Sequence, residues 1–329
     1  MLWPTRRSAQ RLVLRPLGAR HAFVLTDGPP GQHGDGQPAR LLRWGLLSDA
    51  RPLPAGEAIA LLDPADYQIL KVDTPNVPQE ELKAAARWQV KELVDVDMAD
   101  LTLDVMHVGG DVPRAQRQLF VVAARNRAIQ GVTGAVAGVT EQLGVIDIWE
   151  TALRNLLARQ AAADDLAARA CAAVLIDDRH CLLVVCAGDE LFYTRRLEGD
   201  AALLARARGE APEADVTELP LGFEYQPGGA FDASTTQESP LVVELQRSID
   251  VWERSWPELP LARLYVATAR NGTEVAALIQ RELGQRTLAL DPLAAFAPDA
   301  PAPEGDAAEA LAACLPLLGA ALRTETRQL

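Results

Sequence analysis

Cys171-Ala-Ala-Val-Leu-Ile176, Cys181-Leu-Leu-Val-Val-Cys186-Ala187 and Leu191-Phe-Tyr-Thr-Arg-Arg-Leu197 follow one another almost without interruption. Asp177-Asp178-Arg179 and Gly188-Asp189 separate them. The first two runs are apolar, the third opens on Leu191-Phe192-Tyr193, and each gap is a tight polar turn. The stretch therefore predicts three antiparallel strands in a β-meander.

The same pattern opens the chain. Leu12 to Leu14 and Ala22 to Thr26 read as strands around a turn at Gly18, with a third near Leu41 to Leu46. The Gly- and Pro-rich stretch 27–38, which holds His33, has nothing to pack and predicts a long flexible loop. After each meander the chain changes to helices and strands. In the first half, Tyr67 to Val72 is a strand and Pro78 opens a helix. Leu82, Ala86, Val90 and Leu93 stripe that helix. Leu101 to Val108 and Gln118 to Ala123 read as paired strands, which makes a compact insert of about 64–124. A second amphipathic helix runs from Ala128 to Leu143, and Gly144 is expected to stop it. A strand, Val145 to Ile148, and a helix, about Ala152 to Ala168, complete the half.

In the second half, 200–239 is weakly patterned. Leu241, Leu245, Ile249 and Trp252 stripe a helix, Leu264 to Ala267 is a strand, Val275 to Leu283 a helix and Thr287 to Leu290 a strand. Pro298 to Asp306 reads as a linker before a last helix, Leu311 to Arg323. The expectation is a duplicated α/β fold of the actin-like, ribonuclease-H-like kind. Its halves are 1–170 and 171–329, with a cleft between them.

Composition narrows the function. The chain has 329 residues and 49% apolar content, enough for about two domains. Its net charge of -13 argues against a nucleic-acid partner, which needs a basic face. Cys171, Cys181, Cys186 and Cys314 form no CxxC pair and read as buried free thiols of a reducing compartment. No segment approaches the roughly 18 apolar residues of a membrane span. The nearest, Leu311 to Leu322, is short and contains Pro316. Arg6, Arg7, Arg11 and Arg15 are scattered through a start that lacks a signal peptide's apolar region. A cytoplasmic protein is expected.

The familiar catalytic signatures are missing. The sequence has no GxxxxGK[ST] phosphate loop, no GxSxG elbow and no HExxH. His21, His33, His107 and His180 show no ligand spacing. Asp95, Asp97, Asp100 and Asp104 lack the glycine and closing glutamate of a calcium loop, so a solvated acidic turn is expected. No catalytic residue and no metal ligand is assigned. Trp88 lies just off the Leu82/Ala86/Val90 stripe. It reads either as edge-of-core packing or as a partner contact.

Several of these segments resemble one family. Glu81-Leu82-Lys-Ala-Ala-Ala-Arg87-Trp88-Gln-Val-Lys-Glu92-Leu93-Val94-Asp95, followed by Asp104-Val-Met, resembles the inserted subdomain of PilM-like pilus proteins. More narrowly it is similar to the MshI proteins of mannose-sensitive haemagglutinin (MSHA) pilus biogenesis. The likeness continues through Val121-Val-Ala-Ala-Arg125, Leu143-Gly144-Val-Ile-Asp147 and Ala152-Leu153-Arg154. It resumes at Glu244-Leu-Gln-Arg247-Ser248-Ile-Asp250 and closes at Gly319-Ala-Ala-Leu322-Arg323. The resemblance implies two actin-like halves with a small α+β insert in the first. It also implies a scaffold on the cytoplasmic face of the inner membrane, in a type IV pilus or, as for GspL, a type II secretion machine. Its implied partner is the cytoplasmic tail of a PilN-like or MshJ-like bitopic protein, with the pilus motor ATPase as a further partner. The partner surface is expected in the cleft beside the insert, with Arg87, Trp88 and Glu92 as candidate contacts.

The chain departs from the family where nucleotide would bind. A nucleotide-binding PilM has an Asp-x-Gly phosphate loop near its start, where this chain reads Leu14-Arg15-Pro16-Leu17-Gly18. The second Asp-x-Gly reads Asp177-Asp178-Arg179-His180, without glycine. The adenosine motif, usually Gly-Gly, reads Thr268-Ala269-Arg270-Asn271-Gly272. Glycine lets backbone N–H groups approach phosphate closely, so three eroded elements predict a pseudo-ATPase without cofactor. The rival reading is an ATP- and magnesium-dependent switch, in which Asp177 ligates the metal while Arg179 and Gly272 help hold the nucleotide. A small-molecule kinase is a third reading, and no aspartate is identified for it.

Overall fold

The computed structural model describes residues 10–31, 37–49, 51–110, 117–210 and 239–325. The expected loop at 27–38, the arginines at 6 and 7, and most of the weakly patterned stretch 200–239 fall partly or wholly outside them.

The first half contains β1 (Arg11–Leu17), β2 (Arg20–Thr26), β3 (Leu41–Leu47) and β4 (Glu57–Leu61). Next come β5 (Tyr67–Asp73), α1 (Leu82–Val90), β6 (Leu101–His107) and β7 (Gln118–Arg125). It ends with α2 (Asn126–Val136), β8 (Leu143–Asp147) and α3 (Trp149–Ala163). The second half contains β9 (Ala170–Ile176), β10 (Cys181–Ala187), β11 (Glu190–Leu197), α4 (Ala201–Ala207) and α5 (Pro240–Ser255). Then follow β12 (Leu261–Ala267), α6 (Gly272–Leu283), β13 (Thr287–Ala289) and α7 (Ala307–Ala321).

The duplication is visible in the sheets. Their orders are β3-β2-β1-β4-β8 and β11-β10-β9-β12-β13. In each, the first three strands pair antiparallel as a meander and the last two join in parallel. The third sheet, β5-β7-β6, is the insert. Its strands alternate. Val72, Leu103, Leu119 and Val121 pack under Leu82, Ala86 and Val90 of α1. Tyr67, Phe120 and Ala124 turn the other way, into the body of the protein.

Two helices lie between the large sheets, and they cross the boundary of the halves. α3, from the first half, packs on β9, β10 and β11. α7, from the second, packs on β1, β2, β3 and β4. The two helices also pack on each other, with Gly319 against Ala152 at the crossing. One core, from Val13 and Val24 through Trp149 and Leu317 to Leu182 and Tyr265, therefore runs through both halves. Outer helices cover the far faces: α2 over β1 and β4, and α4, α5 and α6 on the second sheet, around Trp252. All four cysteines are buried. Burial pushes the Cys171 thiol up to about 11 and the Cys181 thiol to about 12.

Some elements differ from expectation. α2 ends at Val136, and Gly144 belongs to β8 rather than to a helix cap. The apolar period continues past the helix because Val139, in the following turn, is buried in the same core. The expected linker 298–306 is a strap along the edge of the first sheet. Glu304 N–H donates to Trp44 O at 2.8 Å, and Leu46 N–H donates to Glu304 O at 2.9 Å. Trp44 Nε1 donates to Pro301 O at 2.8 Å. The strap fits because Gly45 has no side chain there: a Cβ would lie 2.2 Å from Glu304 O. Covering β3 in this way removes an exposed strand edge.

Candidate functional site

In each large sheet the meander's first strand runs parallel to its crossover neighbour, β1 beside β4 and β9 beside β12. The turns after β1 and β9 and the loops after β4 and β12 therefore leave from corresponding edges, and the two edges meet. The turn after β9 is held by Asp177. Its Oδ1 accepts from the N–H of Arg179 at 2.7 Å and of His180 at 2.6 Å. Its own N–H donates to His180 O at 2.9 Å. The carboxylate thus closes its own turn.

Across the cleft stands Asp63, in the loop after β4. Sequence reasoning missed it, although Asp63-Pro64 carries a helix-start signal: Asp63 Oδ1 caps Ala65 N–H at 3.1 Å, and Pro64 opens a short 3₁₀ turn. Its carboxylate lies 3.3 Å from Arg15 Nη2, 3.4 Å from His180 Nε2 and 3.8 Å from Arg179 Nη2. Burial works to raise this carboxyl's pKa. The Ala65 N–H, Arg15 and His180 outweigh that and hold it below the usual carboxylate range. Arg15 is buried, with its guanidinium 4.6 Å over the Trp149 ring. His180 lies 4.9 Å from the same ring. Side chains from both halves therefore meet between the two turns.

A second bridge lies alongside. Arg196 of β11 donates to Pro64 O at 2.5 Å and to Tyr67 O at 3.1 Å, and it stacks 4.6 Å over the Tyr67 ring. Its Nη2 is 3.6 Å from Glu150. Burial raises the Glu150 pKa, against the Tyr67 hydroxyl that donates to it at 2.5 Å and the charge of Arg196. Tyr67 and Glu150 come from the first half and Arg196 from the second.

Beside the insert is a cavity of about 430 Å³. Leu61, Leu62, Asp63 and Asp66 form one wall, and Arg127, Ala128, Gly131 and Val132 of α2 form the other. Arg15 also lines it, with its Nε unpaired among the described residues. The cavity offers an apolar lining with two arginines and two aspartates, a concave surface with a few polar groups that can fix a ligand's orientation.

The structure gathers some of the expected site residues and separates others. Asp177 and Arg179 lie on the cleft turn. Gly272 opens α6 after β12, against Ala289 and Thr268 of its own half. Arg87, Trp88 and Glu92 do not line the cavity beside the insert, because α1 covers the opposite face of the insert's sheet. Arg87 is turned inward and donates to Met98 O and Leu101 O, which ties α1 to β6. Trp88 is 75% exposed with Lys91 Nζ 5.7 Å from its ring, so it is not core, and Glu92 is exposed.

Two sheets of one strand order, an insert after the fourth strand and a cleft between the turns define an actin-like α/β protein. No family model and no curated protein matches the chain. Among solved structures it is similar to the PilM-PilN type IV pilus biogenesis complex. There it is 19% identical, covers 96% of this chain and 98% of that one, and gives a TM-score of 0.64. That likeness is one of fold. The cytoplasmic domain of EpsL, an inner membrane component of the type II secretion system of Vibrio cholerae, is 10% identical. It covers 65% of this chain and 79% of that one, with a TM-score of 0.38. A Bacteroides thetaiotaomicron protein with an actin-like ATPase fold is 7% identical, covers 89% and 95%, and has a TM-score of 0.43. No helix among the described residues is long and apolar enough to cross a membrane.

Proposed function

We propose that the chain is a non-catalytic, MshI-like scaffold of a type IV (MSHA-like) pilus or type II secretion assembly. It sits on the cytoplasmic face of the inner membrane and holds the cytoplasmic tail of a PilN-like or MshJ-like protein. The pilus motor ATPase is a second proposed partner. The tail lies in the cavity beside the insert. The observation that carries the reading is the bridge that Asp63 makes between the two phosphate-loop positions. There Arg15, Asp63, Asp177 and His180 meet through side chains, where a nucleotide site would present glycine backbone.

Two measurements test it. Calorimetric titration with ATP and magnesium should give no heat, and thermal melting should not shift. A ligand at 100 times its Kd would add about 2.7 kcal/mol to stability, so saturable binding would replace the scaffold with the nucleotide switch. For the partner, the synthetic cytoplasmic tail of the PilN-like protein from the same organism is titrated. Gly131→Phe sets a ring at the cavity wall, from a position where a Cβ meets nothing within 4 Å. It should lower tail affinity by at least tenfold, while Trp88→Ala leaves affinity unchanged. The reverse result would move the partner site to the outer face of α1.

A further inference from the structure

His180 sits in the cleft with its two ring nitrogens facing carboxylates of different halves. Its Nε2 lies 3.4 Å from Asp63 Oδ1, in the first half. Its Nδ1 lies 3.3 Å from the Asp177 carboxylate, in the second. An ionised carboxylate only accepts hydrogen bonds. Neutral imidazole has one N–H, so it serves one carboxylate and turns a lone pair toward the other. Imidazolium has two and serves both. The ring is largely enclosed, its side chain 15% exposed, and it rests on Trp149.

We propose that the cleft carries a pH-sensitive latch, in which protonated His180 ties Asp63 of the first half to Asp177 of the second and the neutral ring releases one of them. The groups facing the ring are few. β1 contributes Arg15, the loop after β4 contributes Asp63, the start of α3 contributes Trp149, and the turn itself contributes Asp177 and Arg179. The two arginines and two aspartates cancel in charge, so the proton on His180 sets the sign of the cluster. The latch needs neither a nucleotide nor the partner tail, so it stands independently of the scaffold reading.

The test uses the full chain. Long-range nitrogen–proton correlation spectra follow the His180 ring from pH 8 to 5.5, with the signal assigned by its loss in His180→Gln. Both ring nitrogens should become protonated over this range. Amide exchange, corrected for its intrinsic pH dependence, should slow at least threefold in 61–66 and 177–181 over the same range. His180→Gln and Asp63→Asn should each abolish that difference. A ring that keeps one bare nitrogen throughout would overturn the latch, as would variants that retain the full pH-dependent protection. Should His180→Gln fold poorly, Asp63→Asn and the spectra of the unaltered protein decide the question.

Discussion

Gly319→Ala is expected to lower stability by about 3 kcal/mol, although alanine is the better helix former by about 1 kcal/mol. The reason is the crossing of α3 and α7. A Cβ on Gly319 would lie 2.1 Å from the Ala152 carbonyl oxygen and 2.6 Å from its carbon. These are backbone atoms, so no rotamer change relieves the clash, and the helices must move apart. Separation would stretch the Asn155 Nδ2 to Gly319 O hydrogen bond, now 3.0 Å. It would also open the core that joins the two sheets. Gly131→Ala is the control. It too is a helix glycine, its Cβ would meet nothing within 4 Å, and it should gain about 1 kcal/mol. Denaturant midpoints at unchanged slope measure both. Equal effects from the two substitutions would show that the crossing is not tight.

Asp147→Ala should cost a similar amount, about 3 kcal/mol, because it strands a cation. Asp147 is 5% exposed at the end of β8. Its Oδ1 accepts from Ile148 N–H at 2.9 Å and from the Thr151 hydroxyl at 2.6 Å, which starts α3. Its Oδ2 accepts from Arg323 Nη1 at 3.1 Å, just past the end of α7. The Arg323 side chain is 12% exposed, and its other acid, Glu325, is 3.9 Å away. Removing the carboxylate leaves a buried guanidinium with one distant partner. Asp147→Asn keeps an acceptor for the helix start and should lose about half as much. A loss below 1 kcal/mol for the alanine variant would mean that Glu325 takes over the arginine.

The fold was legible where the chain repeats itself. Cys171 to Leu197 and its counterpart at Leu12 to Leu46 are apolar runs between polar turns, and a meander follows from them directly. β4 was missed because Glu-Ala-Ile-Ala-Leu is short and only its position beside β1 makes it a central strand. The strap was missed because its order comes from contacts with Trp44 and Gly45, more than 250 residues away in sequence. The cleft was half legible. Asp177 and Arg179 were singled out from the family pattern, but Asp63, Arg15 and Trp149 are ordinary residues until the chain folds and brings them together. On α1, periodicity placed Trp88 off the buried stripe, and the structure leaves it in solvent. Nothing local marks Arg87 as inward-turned, because its acceptors are the carbonyls of Met98 and Leu101.

The exchange of α3 and α7 sets the order of events on the ribosome. The strands of the first sheet are made early, but α7, which covers their inner face, begins only at Ala307. At ~5–20 residues per second of synthesis, that apolar face waits on the order of tens of seconds for its cover. The amino-terminal half therefore cannot mature while the rest is being made. A nascent chain stalled before α7, or a fragment cut at residue 170, should stay with holdase chaperones, and release should coincide with completion of the carboxy-terminal helix.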